Sequence, residues 1–196
     1  MPVTHLLYLH GFRSSPQSAK AQQVAERVRN QYPAVTWWCP QLPPSPQAAM
    51  ALVQQGIADW PRQTMAVIGS SLGGFYATWV AEHTGCKSVL LNPAVDPARD
   101  LARYIGEQTS WQNPEERFFF EPAFIGELQA LTLHNQPPPE RCRAIIAKGD
   151  EVLDWREMAA RYASAQPLLL EGGDHALSDF EAHIDGIFAF LDLLKN

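Results

Sequence analysis

The chain is poor in cysteine, and it has no cluster of basic residues and no long apolar run. Its three cysteines, Cys39, Cys86 and Cys142, show neither CxxC nor CxxH spacing, which favours buried free thiols over disulfides or a zinc site. The first residues lack the basic region and the apolar stretch of a signal peptide, and no segment is long enough to cross a membrane. These absences predict a cytoplasmic protein without a membrane partner.

Charge and motif content exclude further classes of function. The net charge is −6, and the 15 Lys and Arg residues are dispersed, which argues against a nucleic-acid partner. No P-loop, dinucleotide fingerprint or metal-ligand cluster is present, so we expect neither a cofactor nor a metal. A length of 196 residues with 46% apolar content suits one globular domain spanning residues 1–196.

Strand-like and helix-like segments alternate along the chain, and this alternation is typical of an α/β fold. Short apolar segments predict about six strands, at residues 5–9, 35–39, 65–68, 88–91, 144–147 and 168–170. Helical patterns lie between most of them. The expected architecture is a mostly parallel sheet flanked by helices.

The segment 94–140, called the insertion below, interrupts this alternation. It shows no strand pattern, and we expect it to form a small helical lid over the strand ends. Its aromatic residues either line an acyl-binding pocket or form the lid's own core: Trp111, Phe118, Phe119, Phe120 and Phe124.

The run Gly69-Ser70-Ser71-Leu72-Gly73 is the most informative motif. It follows an apolar strand and precedes a helical pattern, and in that context G-x-S-x-G is a nucleophile elbow. The two glycines remove the side chains that would collide at the sharp turn. We therefore predict that Ser71 is the nucleophile of acyl-transfer chemistry.

A serine nucleophile requires a base, and His175 is the best placed of the six histidines. It follows the last predicted strand and Gly172-Gly173, so it would lie at the carboxyl ends of the strands, where the elbow points. His134 in the insertion stays open as an alternative. His5, His83 and His183 are expected to be structural or solvated.

The third member of the triad should be an acidic residue between Ser71 and His175 in the chain. Asp150 follows the fifth predicted strand and is favoured over Asp154 and Glu151 in the same loop. Asp174 is a weak candidate because it adjoins His175. The alternative role for Asp150 is a helix N-cap.

An oxyanion hole needs two backbone N–H groups aimed at the developing charge. Leu72, directly after the nucleophile, should supply one, and Phe12, in the loop after the first strand, should supply the other. Gly11 lets that loop approach the elbow closely. His10 is expected to buttress the loop rather than to act as a base.

Several blocks of the sequence resemble the YqiA-type family of small bacterial esterases. The similar blocks are LLYLHGFRSSPQSAKA (6–21), PQLPPSP (40–46), VIGSSLGGFYATW (67–79), LNPAV (91–95), GDEVLDWR (149–156) and EGGDHA (171–176). The resemblance implies a minimal α/β-hydrolase fold that lacks the first two strands of larger members. It also implies hydrolysis of short acyl esters, including acyl-CoA thioesters, with Ser71, His175 and Asp150 as nucleophile, base and acid.

The expected function is that of a serine carboxylesterase or thioesterase acting on a small acyl substrate. Two alternatives stay open at the level of sequence. One is a non-catalytic ligand-binding protein that keeps the hydrolase shell. The other is a cofactor-free haloperoxidase or C–C hydrolase, which would use the same triad.

Overall fold

The centre of the fold is a parallel sheet of six strands, found in the residues that the computed structural model describes, 2–131, 133 and 135–193. Its strands are β1 (His5–Leu9), β2 (Thr36–Trp38), β3 (Met65–Ser70), β4 (Lys87–Leu91), β7 (Cys142–Ala147) and β8 (Leu168–Leu170). Their order across the sheet is β2-β1-β3-β4-β7-β8, and every neighbouring pair is parallel. The prediction of a mostly parallel α/β sheet is confirmed.

Seven helices connect the strands or cover the sheet within the described ranges. They are α1 (Ala19–Gln31), α2 (Pro46–Gly56), α3 (Leu72–Thr84), α4 (Pro97–Leu101), α5 (Ala123–Ala130), α6 (Trp155–Arg161) and α7 (Glu181–Phe190). Sequence signals explain where some of them begin. At α2, the Ser45 hydroxyl accepts a hydrogen bond from the Ala48 N–H, and Pro46 occupies the first helical position.

Alternation along the strands divides the core into two layers. Leu7 and Leu9 of β1 face the layer beneath α2 and α3, whereas Leu6 and Tyr8 face the layer beneath α1 and α7. Strands β3 and β4 are almost continuously buried because both faces of a parallel sheet are covered. Since the strands are parallel, the loops at their carboxyl ends share one edge of the sheet.

The insertion differs from the predicted helical lid. It contains α4 and α5, and also a two-stranded antiparallel sheet formed by β5 (Gly106–Thr109) and β6 (Arg117–Phe120). This hairpin was not predictable from the sequence. Strand β5 is short and polar, and β6 contains three consecutive phenylalanines, so neither shows the alternation typical of a strand. The strand pleat nevertheless places consecutive phenylalanines on opposite faces, since Phe120 is buried and Phe119 is 53% exposed.

The three cysteines are free thiols that differ in burial. Cys86 and Cys142 are buried free thiols, and burial raises the pKa of each to about 11. Cys39 is a partly buried free thiol. No helix in the described part of the chain has the length and apolar character needed to cross a membrane.

Candidate active site

Ser71 lies at a strained turn between β3 and α3. Its φ of 57° and ψ of −122° fall in a region that non-glycine residues rarely adopt. A side chain at Gly69 would place a Cβ 2.1 Å from the Gly73 carbonyl oxygen, and one at Gly73 would place a Cβ 2.0 Å from the Leu9 carbonyl oxygen. The two glycines therefore permit the close approach of strand, helix and turn that presents Ser71.

Ser71, His175 and Asp150 form a continuous chain of hydrogen bonds. The distance from Ser71 Oγ to His175 Nε2 is 2.9 Å, and the distance from His175 Nδ1 to Asp150 Oδ2 is 2.7 Å. A carboxylate can only accept, so the Nδ1 atom carries the proton and Nε2 is free to accept from the Ser71 hydroxyl. This is the arrangement that general-base activation of a serine requires.

The loop after β7 gives each of its acidic residues a different role. The Asp150 side chain is fully buried, and its second oxygen accepts from the Val152 and Leu153 N–H groups, each at 2.8 Å. No helix begins directly after Asp150, so these contacts close a turn and are not the helix N-cap of the alternative interpretation. Asp154 instead caps α6 through the Arg156 N–H, and Glu151 accepts from the His175 backbone N–H at 3.0 Å.

The loop after β1 passes directly over the nucleophile. A Cβ at Gly11 would lie 3.1 Å from Ser71 Cβ and 3.6 Å from Ser71 Oγ. Leu72 is the first residue of α3, so its N–H has no partner within the helix. Among the described residues, no backbone acceptor is paired with the Phe12 N–H. Both N–H groups named in the predicted oxyanion hole are thus without a backbone acceptor among the described residues.

His10 holds this loop against the proline-rich segment that follows β2. Its Nδ1 atom donates to the Gly11 carbonyl at 2.9 Å, and its Nε2 atom accepts from the Leu42 N–H at 3.0 Å. The contact at Nε2 requires the neutral ring, because only an unprotonated nitrogen accepts, and burial lowers the pKa of His10 below its ordinary value. His10 therefore has the buttressing position that the sequence analysis expected.

The remaining histidines make other contacts. His83 stacks on Trp79 and contacts the Trp79 carbonyl through Nδ1, whereas His183 faces Asp179. His5 hydrogen-bonds with Thr4. His134, the alternative base in the insertion, lies outside the described residues.

A cavity of about 530 Å³ opens between the loop after β1 and the first turn of α3, and Leu72, the residue after Ser71, is part of its wall. It adjoins Phe12 and Leu72 on one side, and the rest of its wall is mainly apolar, with polar groups from Arg13, Ser14, Gln41, Ser110 and Glu116. Its apolar lining comes from four further parts of the chain: Leu42, Pro43 and Pro44 after β2, Leu52 on α2, Tyr76 on α3, and Phe118 in β6. Such a cavity suits a small apolar group held next to Ser71.

Only one of the five aromatic residues predicted to bind substrate lines this cavity. Phe118 does, and Phe119 is exposed on the opposite face of β6. Phe120 is buried and Phe124 packs against it, and both join the core layer that also contains residues of the central sheet. Trp111 is 64% exposed and lies beneath the Arg13 guanidinium. Lining the cavity and packing in the core are thus roles of different aromatic residues.

Arg13 joins the loop after β1 to the insertion, a contact that no sequence motif indicates. This loop, residues 10–14, is called the oxyanion loop below because the sequence predicts that it carries an oxyanion donor. Its Nε and Nη2 atoms donate to the carbonyl and hydroxyl oxygens of Thr109 at 2.7 and 3.0 Å, and its carbonyl accepts from the Trp111 N–H at 2.7 Å. The adjacent Phe12 ring packs against Phe118 and Phe120. The hairpin is therefore fixed to the loop that carries one predicted oxyanion donor.

The chain shares its fold with solved structures of α/β-hydrolases. The mouse α/β-hydrolase domain-containing protein 10 matches at 17% identity, with a TM-score of 0.70, over 95% of this chain and 90% of that one. A chain of the metagenome-derived lipolytic enzymes LipS and LipT matches at 17% identity, with a TM-score of 0.67, over 97% of this chain and 95% of that one. The thioesterase domain of the curacin biosynthetic pathway matches at 14% identity, with a TM-score of 0.60, over 95% of this chain and 91% of that one. At these identities the likeness shows a shared fold.

The family assignment comes from the sequence itself. The model of UPF0227, described as an uncharacterised protein family, matches residues 5–192. The chain belongs to this family. The match spans all the blocks quoted above, and it confirms the resemblance to the YqiA-type proteins.

Proposed function

We propose that this protein is a serine hydrolase that cleaves small acyl esters or thioesters through an acyl-enzyme. The observation that carries the proposal is the hydrogen-bonded chain from Ser71 through His175 to Asp150. Backbone N–H groups at Phe12 and Leu72 and an adjoining apolar cavity support it.

The acylation step follows from the orientation of these groups. Ser71 Oγ attacks the acyl carbonyl carbon while its proton passes to His175 Nε2. The buried Asp150 carboxylate stabilises the resulting imidazolium through Nδ1, and the Phe12 and Leu72 N–H groups bind the oxyanion. Collapse of the tetrahedral intermediate breaks the bond to the leaving group, which takes the proton from Nε2 as an alcohol or thiol.

Deacylation uses the same groups with water as the nucleophile. His175 Nε2 removes a proton from water, the hydroxide adds to the Ser71 ester, and the carboxylic acid leaves as Oγ recovers its proton. No step requires a group beyond the side chains and N–H groups named here. The mainly apolar cavity favours an uncharged acyl group over a charged one.

Replacement of the nucleophile tests the proposal. Ser71→Ala should lower kcat for p-nitrophenyl butyrate by about 10⁴-fold or more, because the covalent step is lost. Ser164→Ala is the matched control, since its exposed hydroxyl contacts only the Pro137 carbonyl, and it should keep the wild-type rate. Unchanged turnover in folded Ser71→Ala protein would refute the mechanism.

Labelling with a fluorophosphonate separates the hydrolase from a ligand-binding protein that keeps the same shell. The wild type should be labelled at Ser71, since an activated serine reacts with this probe, and Ser71→Ala should not be labelled. A folded wild type that does not react would favour the binding protein. Labelling without hydrolysis of any acyl ester or thioester would point instead to haloperoxidase or C–C hydrolase chemistry.

A further inference from the structure

We infer that Asn92 is a positioning residue that holds the backbone of His175, so that the imidazole faces Ser71. Asn92 is the first residue after β4, and neither its type nor its place in the sequence marks it as part of a triad. The inference deepens the proposed function, on which its kinetic part rests.

The side chain of Asn92 bridges two loops that carry triad members. Its Oδ1 atom accepts from the Ala147 N–H at 2.8 Å, at the end of the strand that leads to Asp150. Its Nδ2 atom donates to the carbonyl oxygens of Asp174 and His175, at 3.0 and 3.2 Å. One partner is an N–H and two are carbonyls, so an amide is the side chain that satisfies all three.

Because Asn92 is buried, the loss of any of these hydrogen bonds is costly. Asn92 is fully buried, and an unpaired polar group there would cost its full desolvation penalty. Its φ of 41° lies in the left-handed region, which asparagine tolerates better than most residues. Its own N–H donates to the Ile145 carbonyl at 3.0 Å, so backbone and side chain both join it to β7.

Asn92 therefore fixes one side of the His175 backbone, while Glu151 fixes the other. The Glu151 carboxylate accepts the His175 N–H, and Asn92 donates to the His175 carbonyl. Lys20 adds a contact to the next carbonyl, that of Ala176. Of these groups, only Asn92 is fully buried, and it also contacts the strand that ends before Asp150.

Asn92→Asp isolates this role because it keeps the size of the side chain and the oxygen that accepts from Ala147. The variant replaces the donating amide by an oxygen that faces two carbonyl oxygens. We expect kcat for p-nitrophenyl butyrate to fall about 10- to 100-fold, since a small misplacement of a catalytic group has effects of that size. KM should stay within about twofold, because Asn92 does not line the cavity.

Asn30→Asp is the matched control. It makes the same chemical change at an exposed position near the end of α1, and it should leave kcat and KM unchanged. Rates are expressed per folded molecule, as measured by near-ultraviolet circular dichroism.

A spectroscopic readout does not depend on the proposed function. The proton between His175 Nδ1 and Asp150 should give a downfield proton NMR signal in the wild type and in Asn30→Asp. We expect Asn92→Asp to shift or lose this signal. A wild type without esterase activity would refute the proposed function, while the NMR comparison would still decide the role of Asn92.

Two results would overturn the inference. The first is a folded Asn92→Asp protein with wild-type kcat and an unchanged His175 signal. If Asn92→Asp does not fold, Asn92→Gly is measured in the same way, since glycine also accepts a φ of 41°. The second result is an Asn92→Gly protein whose rate per folded molecule and His175 signal match those of the wild type. If both variants lose activity only in proportion to lost folded protein, Asn92 is structural and does not position His175.

Discussion

At the scale of single residues, neighbouring side chains of the same type have different roles because their backbone contexts differ. Asp150 follows β7 and contacts the His175 ring, whereas Asp154, four residues later, caps α6. The position of Asp150 directly after the fifth predicted strand favoured it over Asp154. The sequence could not show that Glu151 contacts the backbone of His175 rather than its ring, because that depends on the conformation of two loops.

A pair of matched substitutions tests the assignment of the acid. Asp150→Asn should lower kcat by about 10³- to 10⁴-fold, because the amide no longer holds the required tautomer of His175 or stabilises its charged form. Asp154→Asn should keep kcat within a few fold, since asparagine caps a helix about as well as aspartate does. Steady-state rates on the same ester give the comparison, and the reverse ranking would reassign the acid.

His10 should give the protein a stability that depends on pH. Burial lowers the pKa of His10 in the folded protein, whereas in the unfolded chain it titrates near 6.5. The unfolded state therefore binds more protons just below pH 6.5, and the free energy of unfolding should fall as the pH drops through that range. The stabilisation that neutral His10 provides is present above pH 6.5.

Comparison with His10→Gln isolates this contribution from the other histidines. Urea unfolding is measured at several values between about pH 7.5 and 5.5. The difference in unfolding free energy between wild type and variant should shrink toward acidic pH. A difference that stays constant or grows in acid would show that His10 is not held neutral.

At the scale of elements, the strands of the central sheet were more predictable than the insertion. Strand β1 and strand β8 lie at the residues that their apolar runs predicted. For β1 the reason is that a parallel strand inside the sheet is buried on both faces. The hairpin of β5 and β6 has one polar strand and lies on the edge of the fold. Its conformation depends on distant contacts, such as those of Arg13 with Thr109, that no local pattern reveals.

The two faces of β6 should affect substrate choice differently. Phe118→Ala enlarges the cavity, so the ratio of kcat/KM for hexanoate over butyrate esters should rise about tenfold, since a few methylene groups are worth that much in a pocket. Phe119→Ala, on the exposed face of the same strand, should leave the ratio unchanged. An equal change of this ratio in both variants, or no change in Phe118→Ala, would show that the cavity does not bind the acyl group.

At the scale of the whole molecule, the parallel sheet explains how distant parts of the chain form one site. The loops after β1, β3, β4, β7 and β8 all lie at the carboxyl edge, and they supply the oxyanion loop, Ser71, Asn92, Asp150 and His175. The sequence predicted four of these contributions from motif and chain order. It did not predict Asn92, because the importance of a buried amide depends on which backbone groups surround it.

Detection of the acyl-enzyme tests the central claim most directly. Wild-type protein is mixed with excess p-nitrophenyl butyrate, quenched in acid within the first turnover, and analysed by intact mass and peptide mapping. The proposed mechanism predicts a mass increase of one butyryl group on the peptide that contains Ser71, and none in Ser71→Ala. Ester hydrolysis without that adduct, or with the butyryl group on another residue, would contradict it.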